Sequence, residues 1–174
     1  VGEGRMAEPE NIVEYLINFF KKKTSLSNKK VLVTAGPTHE AIDPVRFIGN
    51  HSSGKMGIAI ANELYQQGAE VTLILGPGCQ LNSIGPVNII QVESAKDMLE
   101  ACRANANDSD IVVMSAAVAD YTPKIAADIK IKKSENEMFI ELSKTEDILK
   151  ELGTNKKNGQ VLIGFALETN NEYD

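Results

Sequence analysis

Five short apolar runs, separated by stretches with helical spacing, constrain this chain more than any other feature. They fall at residues 30–34, 71–75, 87–92, 110–114 and 161–165. Each is continuous rather than alternating, which is how a strand covered on both faces reads. Between them the spacing predicts a helix over residues 56–67, stopped by Gly68. A second runs from Ser94, an N-cap with Asp97 three residues on, to about residue 105, and a short third lies near residues 146–152. Helices alternating with buried strands imply an α/β fold, a Rossmann-like parallel sheet with helices on both faces. In such a sheet the strand order reverses beside the first strand. The carboxyl ends of the first and fourth strands then meet at the crevice where ligands bind.

The alternation breaks after Ala119. Residues 130–133 and 138–142 flank Ser134-Glu-Asn-Glu137 and predict an inserted β-hairpin between the fourth strand and the short helix. Ahead of the repeat, Pro9 suits a first helical turn, and Ile12, Val13, Leu16, Ile17 and Phe20 recur at helical spacing before Lys21 to Lys23. Residues 1–28 are therefore expected to form an N-terminal helix and linker, and residues 29–174 the ligand-binding domain.

Composition limits the function classes. A net charge of -6 disfavours nucleic-acid coating and membrane-surface binding, which rely on positive charge. Cys79 and Cys102 have no metal-ligand or disulfide spacing, and no run reaches the roughly 18 apolar residues of a membrane span. A cytoplasmic protein without nucleic-acid or membrane partners is expected.

The crevice is where chemistry is expected. The polar, glycine-punctuated stretch from Thr34 to Gly57 lies between a buried strand and a helix. Its residues 49–56 have Walker A spacing, but Met56 stands where Ser or Thr would hold magnesium, and fourteen residues separate Thr34 from Gly49. A P-loop NTPase is thereby disfavoured. Ser52, Ser53 and Gly54 sit at a helix start, where free N–H groups attract a phosphate, unless the serines only cap the helix. Arg46 and Asn50 are four apart and either present a fork and an amide to an anion or brace the loop. Ser115, Ala116 and Ala117 leave room for a planar group against backbone, with Asp120 to accept from hydroxyls. The alternative is that they simply finish a strand. Lys130 and Lys132 either neutralise phosphate charge or guard a solvated edge. His39, His51, Glu40 and Asp43 read as mostly structural, and no metal ligands are expected.

These motifs, in this order, resemble one family. Thr34-Ala-Gly-Pro-Thr-x-Glu-x-Ile-Asp-Pro-Val-Arg-x-Ile-x-Asn-x-Ser-Ser-Gly-Lys-Met-Gly57, Ser115-Ala-Ala-Val-Ala-Asp120, Lys130-x-Lys-Lys133 and Gly164-Phe-Ala-x-Glu-Thr-Asn170 are similar to phosphopantothenoylcysteine synthetase, the ligase half of a bifunctional coenzyme A biosynthesis flavoprotein. The resemblance implies activation of 4'-phosphopantothenate by CTP with Mg2+ to an acyl-cytidylate, then amide formation with cysteine. It implies catalytic roles for Asn50, Lys130 and Arg46, with Asn50 and Arg46 also binding substrate. Nucleotide contacts would come from Ser52, Ser53, Gly54, Ser115, Ala116, Ala117, Asp120, Lys130 and Phe165. It further implies FMN only in an absent decarboxylase domain, a homodimer in the complete protein, and a ligase domain incomplete at its C-terminus and poorly active as this piece. A non-catalytic nucleotide-sensing module and a nicotinamide- or flavin-dependent oxidoreductase are the alternatives.

Overall fold

A computed structural model describes residues 6–20, 25–81, 85–133 and 137–167. Five parallel strands form the main sheet: β1 (Lys30–Ala35), β4 (Glu70–Leu75), β5 (Asn88–Gln91), β6 (Ile111–Met114) and β9 (Val161–Gly164). Their order is β5-β4-β1-β6-β9, so β1 lies between β4 and β6. Its residues 31–34 pair in register with residues 111–114. The reversal beside the first strand, and the pairing of first with fourth, are as the alternation requires.

Alternation of side chains along β1 builds two cores. Val31, Val33 and Ala35 face helix α2 (Lys55–Gln66) in a cluster with Ile58, Ala61, Leu73 and Val113. Leu32 faces the other way, toward Met98, Leu99 and Cys102 of helix α3 (Ala95–Ala106) and Ile148 and Leu152 of helix α4 (Ile148–Thr154). Helix α3 starts as expected: the Ser94 hydroxyl accepts from the Asp97 N–H, and the Asp97 carboxylate accepts from the Ser94 N–H.

Three features depart from expectation. The long loop after β1 contains an antiparallel ribbon, β2 (His39–Ala41) against β3 (Phe47–Gly49), where the spacing predicts only loop. The inserted hairpin is real but based elsewhere: β7 (Tyr121–Pro123) pairs with β8 (Leu142–Lys144), and residues 130–133 and 137–141 are not strand. Apolar residues 138–140 had suggested a strand. Met138 and Phe139 instead remain exposed, because no facing sheet surface covers them. Finally, helix α1 (Pro9–Phe20) forms within its expected bounds, yet Val13, Leu16 and Ile17 stay exposed. Lys21 to Lys23 and the segment from Glu168 onward lie outside the described residues. Among the described residues no helix is long and apolar enough to cross a membrane.

Candidate ligand-binding crevice

The polar residues after β1 turn inward. Thr34, Thr38, Glu40 and Asp43 are all buried, and a buried polar atom must find partners. Thr34 Oγ1 accepts from the N–H groups of Ser115 and Ala116, each at 3.2 Å. The Ser115 hydroxyl donates to the Thr34 carbonyl at 2.6 Å. Thr38 Oγ1 accepts from the Ala119 N–H at 3.0 Å, and Glu40 Oε1 accepts from the Ala95 N–H at 2.8 Å, at the start of α3. The loop is thus sewn to the segment after β6 and to α3.

The segment after β6 is tied to the loop through its backbone. The Ala117 N–H donates to the Gly36 carbonyl at 2.8 Å, and the Ala117 carbonyl accepts from the Thr38 N–H at 3.4 Å. With the Ala116 N–H held by Thr34, these three backbone groups are paired within the chain. Phe165 likewise commits its N–H to the Met114 carbonyl, while its side chain is exposed. Asp120 is exposed, and its carbonyl accepts from the Thr145 N–H.

Arg46 braces the loop, one of the two roles its spacing allows. Its guanidinium binds the buried Asp43 carboxylate through Nε at 3.0 Å and also through Nη2, which in addition donates to the Ile131 carbonyl at 2.8 Å. The Arg46 guanidinium, helped by N–H donors from Val45, Ile131 and Arg46 itself, outweighs burial and holds the Asp43 carboxyl well below the usual carboxylate range. Asn50 Nδ2 donates to the Val118 carbonyl at 2.9 Å, tying the ribbon's end to the segment after β6. Lys130 is exposed, one residue before the Ile131 peptide that Asp43 and Arg46 hold.

The start of α2 differs in being open. Its N-cap, Gly54, is left-handed (φ 70°) and supplies no side-chain cap. The leading N–H groups of a helix have no acceptor within it, so those of Lys55, Met56 and Gly57 lack an intrahelical one. Ser52 Oγ accepts from the Gly54 N–H at 3.3 Å, shaping the turn. A cleft of about 530 Å3 opens beside this turn, lined by Ser53, Lys55, Ile58, Ala59, Asn62, Gly78 and Gln80. A second, of about 550 Å3, lies at the ends of β4 and β5, against Gly76, Cys79 and Glu93. The wall between crevice and cleft is tight. A Cβ on Gly54 would sit 2.6 Å from Cys79 Sγ, and one on Gly76 would sit 1.8 Å from the Pro37 carbonyl oxygen. Sequence spacing placed Gly54 at a helix start but carried no sign of Cys79 beneath it.

Residues 26–174 match the family described as the DNA/pantothenate metabolism flavoprotein C-terminal domain. The chain is 53% identical over 171 residues to the coenzyme A biosynthesis bifunctional protein CoaBC of Bacillus subtilis, covering 97% of this chain and 42% of that protein. It is 52% identical over 175 residues to a cysteine/cysteine sulfinic acid decarboxylase of an unknown prokaryotic organism, covering 98% of this chain and 49% of that one. The chain therefore spans about half the length of these relatives. The solved C-terminal domain of a CoaBC protein superposes with a TM-score of 0.73 at 50% identity, over 86% of this chain and 69% of that one. The DNA/pantothenate metabolism flavoprotein of Streptococcus pneumoniae follows at 0.69 and 32%, over 79% and 69%.

These matches correct the narrower identification. The flavoprotein C-terminal-domain description takes the place of the synthetase label drawn from the motifs, and with that label go the ligase reaction and the acyl-cytidylate. The expected cofactors are corrected likewise, since the description points to a flavin such as FMN rather than to CTP with Mg2+. The residues described here do not themselves fit a flavin ring. The backbone between the β1 loop and the segment after β6 is tied by its own hydrogen bonds, and among the described residues no aromatic side chain lines either of these two clefts. The chain belongs to the DNA/pantothenate metabolism flavoprotein C-terminal domain family.

Proposed function

We propose that this chain is a domain of a coenzyme A biosynthesis enzyme, and that it binds a phosphorylated pantothenate derivative, of which phosphopantothenoylcysteine is the type. The observation that carries this reading is the uncapped start of α2 beside the cleft lined by Ser53 and Lys55. Unpaired N–H groups and the helix dipole favour a dianionic phosphate there, and Lys55 adds a full charge. Among the relatives, the name of the Bacillus subtilis protein supports the pathway, and the family description supports pantothenate as the chemical class.

In this reading Ser53 and the leading N–H groups of α2 hold the phosphate, on a turn shaped by Ser52 and Gly54. Asp120 accepts a hydroxyl of the pantoyl group. Asn50 keeps the ribbon against the segment after β6, with its amide oxygen turned to the ligand's acyl chain, and Lys130 supplies a second cation. Arg46 acts from behind, through Asp43 and Ile131.

Titration calorimetry tests the assignment, using phosphopantothenoylcysteine, 4'-phosphopantothenate and unphosphorylated pantothenate on the same protein. The phosphorylated compounds should bind at least about tenfold more tightly, a difference of roughly 1.4 kcal/mol, and Lys55→Gln should remove most of it. Equal affinity for all three would end the phosphate assignment. An FMN titration followed by visible absorbance, run alongside, should show no shift.

A further inference from the structure

We infer that Asp43 is a positioning residue, which with Arg46 latches the lysine-bearing segment after β7 onto the β2–β3 ribbon. Between Lys124, where the β7–β8 ladder ends, and Lys133, the segment buries little apolar surface: Ile125 and Ile129 are 86% and 79% exposed. Ile131 is the most covered of its isoleucines, at 37% exposed, so packing contributes little to holding the segment. Polar contacts from the ribbon hold it. The Ala127 N–H donates to the Ile42 carbonyl at 2.9 Å. Four residues on, the Ile131 N–H donates to Asp43 Oδ2 at 3.1 Å, and the Ile131 carbonyl accepts from Arg46 Nη2 at 2.8 Å. One ion pair thus grips both hydrogen-bonding groups of a single residue, as a neighbouring strand would.

The grip is stiff because the Asp43 carboxylate is saturated. Oδ1 accepts from the Val45 and Arg46 N–H groups, each at 2.9 Å, and Oδ2 accepts from Arg46 and Ile131. The side chain is fully buried, and a buried charge that loses one partner is strongly destabilised. Release of residue 131 therefore means breaking the pair as a unit. Lys130 adjoins the gripped residue, so its backbone position is set by Asp43 and not by the hairpin's own ladder. That this position serves a ligand rests on the function proposed above.

Amide hydrogen exchange on the ligand-free protein tests the latch by itself. Asp43→Asn should speed exchange at Ala127 and Ile131 at least about tenfold while leaving Val33 and Val113, in the sheet, within about twofold. Unchanged exchange at 127 and 131 overturns the latch. Should Asp43→Asn fail to fold, Arg46→Lys keeps a charge beside Asp43 but loses the fork, and it should speed Ile131 more than Ala127; equal rates to the parent overturn the latch in the same way. Binding of 4'-phosphopantothenate then tests its use. Lys130→Gln and Asp43→Asn should each weaken binding by a similar factor, with the double variant no weaker than either. Additive losses would show that Asp43 does not act through Lys130. If the parent protein does not bind this compound at all, the proposed function and the use of the latch both fall, and exchange still decides whether the latch exists.

Discussion

Thr34 and Ser115 are bonded twice: the Ser115 N–H donates to Thr34 Oγ1 at 3.2 Å, and the Ser115 hydroxyl donates back to the Thr34 carbonyl at 2.6 Å. Both sit where β1 and β6 end side by side, so this pair closes the floor of the crevice.

Thr34→Val should cost about 1–3 kcal/mol, because it leaves the Ser115 and Ala116 N–H groups without their acceptor while keeping the side chain's shape. Ser115→Ala, which removes a single bond, should cost about 1 kcal/mol. Urea denaturation of the two variants measures the difference. A Thr34→Val midpoint equal to the parent would show that another acceptor replaces the hydroxyl.

At Gly54 two penalties coincide. Its φ of 70° disfavours any Cβ by about 1–2 kcal/mol, and that Cβ would meet Cys79 Sγ at 2.6 Å. Gly54→Ala should therefore destabilise the protein beyond the backbone cost alone. Adding Cys79→Ala should return part of the loss by removing the sulfur. Thermal melts of the single and double variants read this directly, and a double variant no more stable than Gly54→Ala would remove Cys79 from the account.

The two thiols should differ in reactivity. Burial pushes the Cys102 thiol up to about 12, so that it stays protonated at pH 8. Burial also raises Cys79, but that residue is only half-buried. Iodoacetamide at pH 8 should label Cys79 first and leave Cys102 unmodified until urea unfolds the chain. Mass spectrometry of the digested protein identifies the site, and early labelling of Cys102 would contradict its place in the α3 core.

Acid should act on the latch only at the extreme. The Asp43 carboxyl is held below its ordinary value, so its stabilising contribution is complete above about pH 4, the value for an unfolded aspartate, and fades as pH falls through the lower folded value. Protection of Ile131 against exchange, corrected for the intrinsic rate, should be flat between pH 5 and 8. A midpoint within that window would mean that Arg46 does not hold the carboxyl as the geometry requires.

The sheet was legible because its signal is local. Continuous apolar runs at Val31, Val71 and Ile111 read as strands buried on both faces, and connection handedness leaves few ways to arrange them, whereas the run at Val161 forms an edge strand whose Val161 and Ile163 stay exposed. The capping box at Ser94 and Asp97 is likewise local, a spacing of three that needs no tertiary partner. The glycine at position 54 announced a helix start for the same reason. The partners across the fold were not legible. Which of its two roles Arg46 takes is not legible, because nothing nearby in sequence shows Ile131, 85 residues on, accepting its hydrogen bond. The ties to Ala116 and Ala117 are hidden for the same reason, since Thr34, Gly36 and Thr38 reach them only once β1 and β6 are paired. Residues 138–140 looked like a strand because apolar content is local, whereas the sheet surface that would bury them is supplied, or not, by the rest of the chain. Sequence by itself determined the repeat and the strand order that sets the ends of β1 and β6 side by side. Which of the residues bordering that crevice remain open to a ligand was decided by tertiary hydrogen bonding, since a buried polar group must be satisfied by whatever the fold brings within reach.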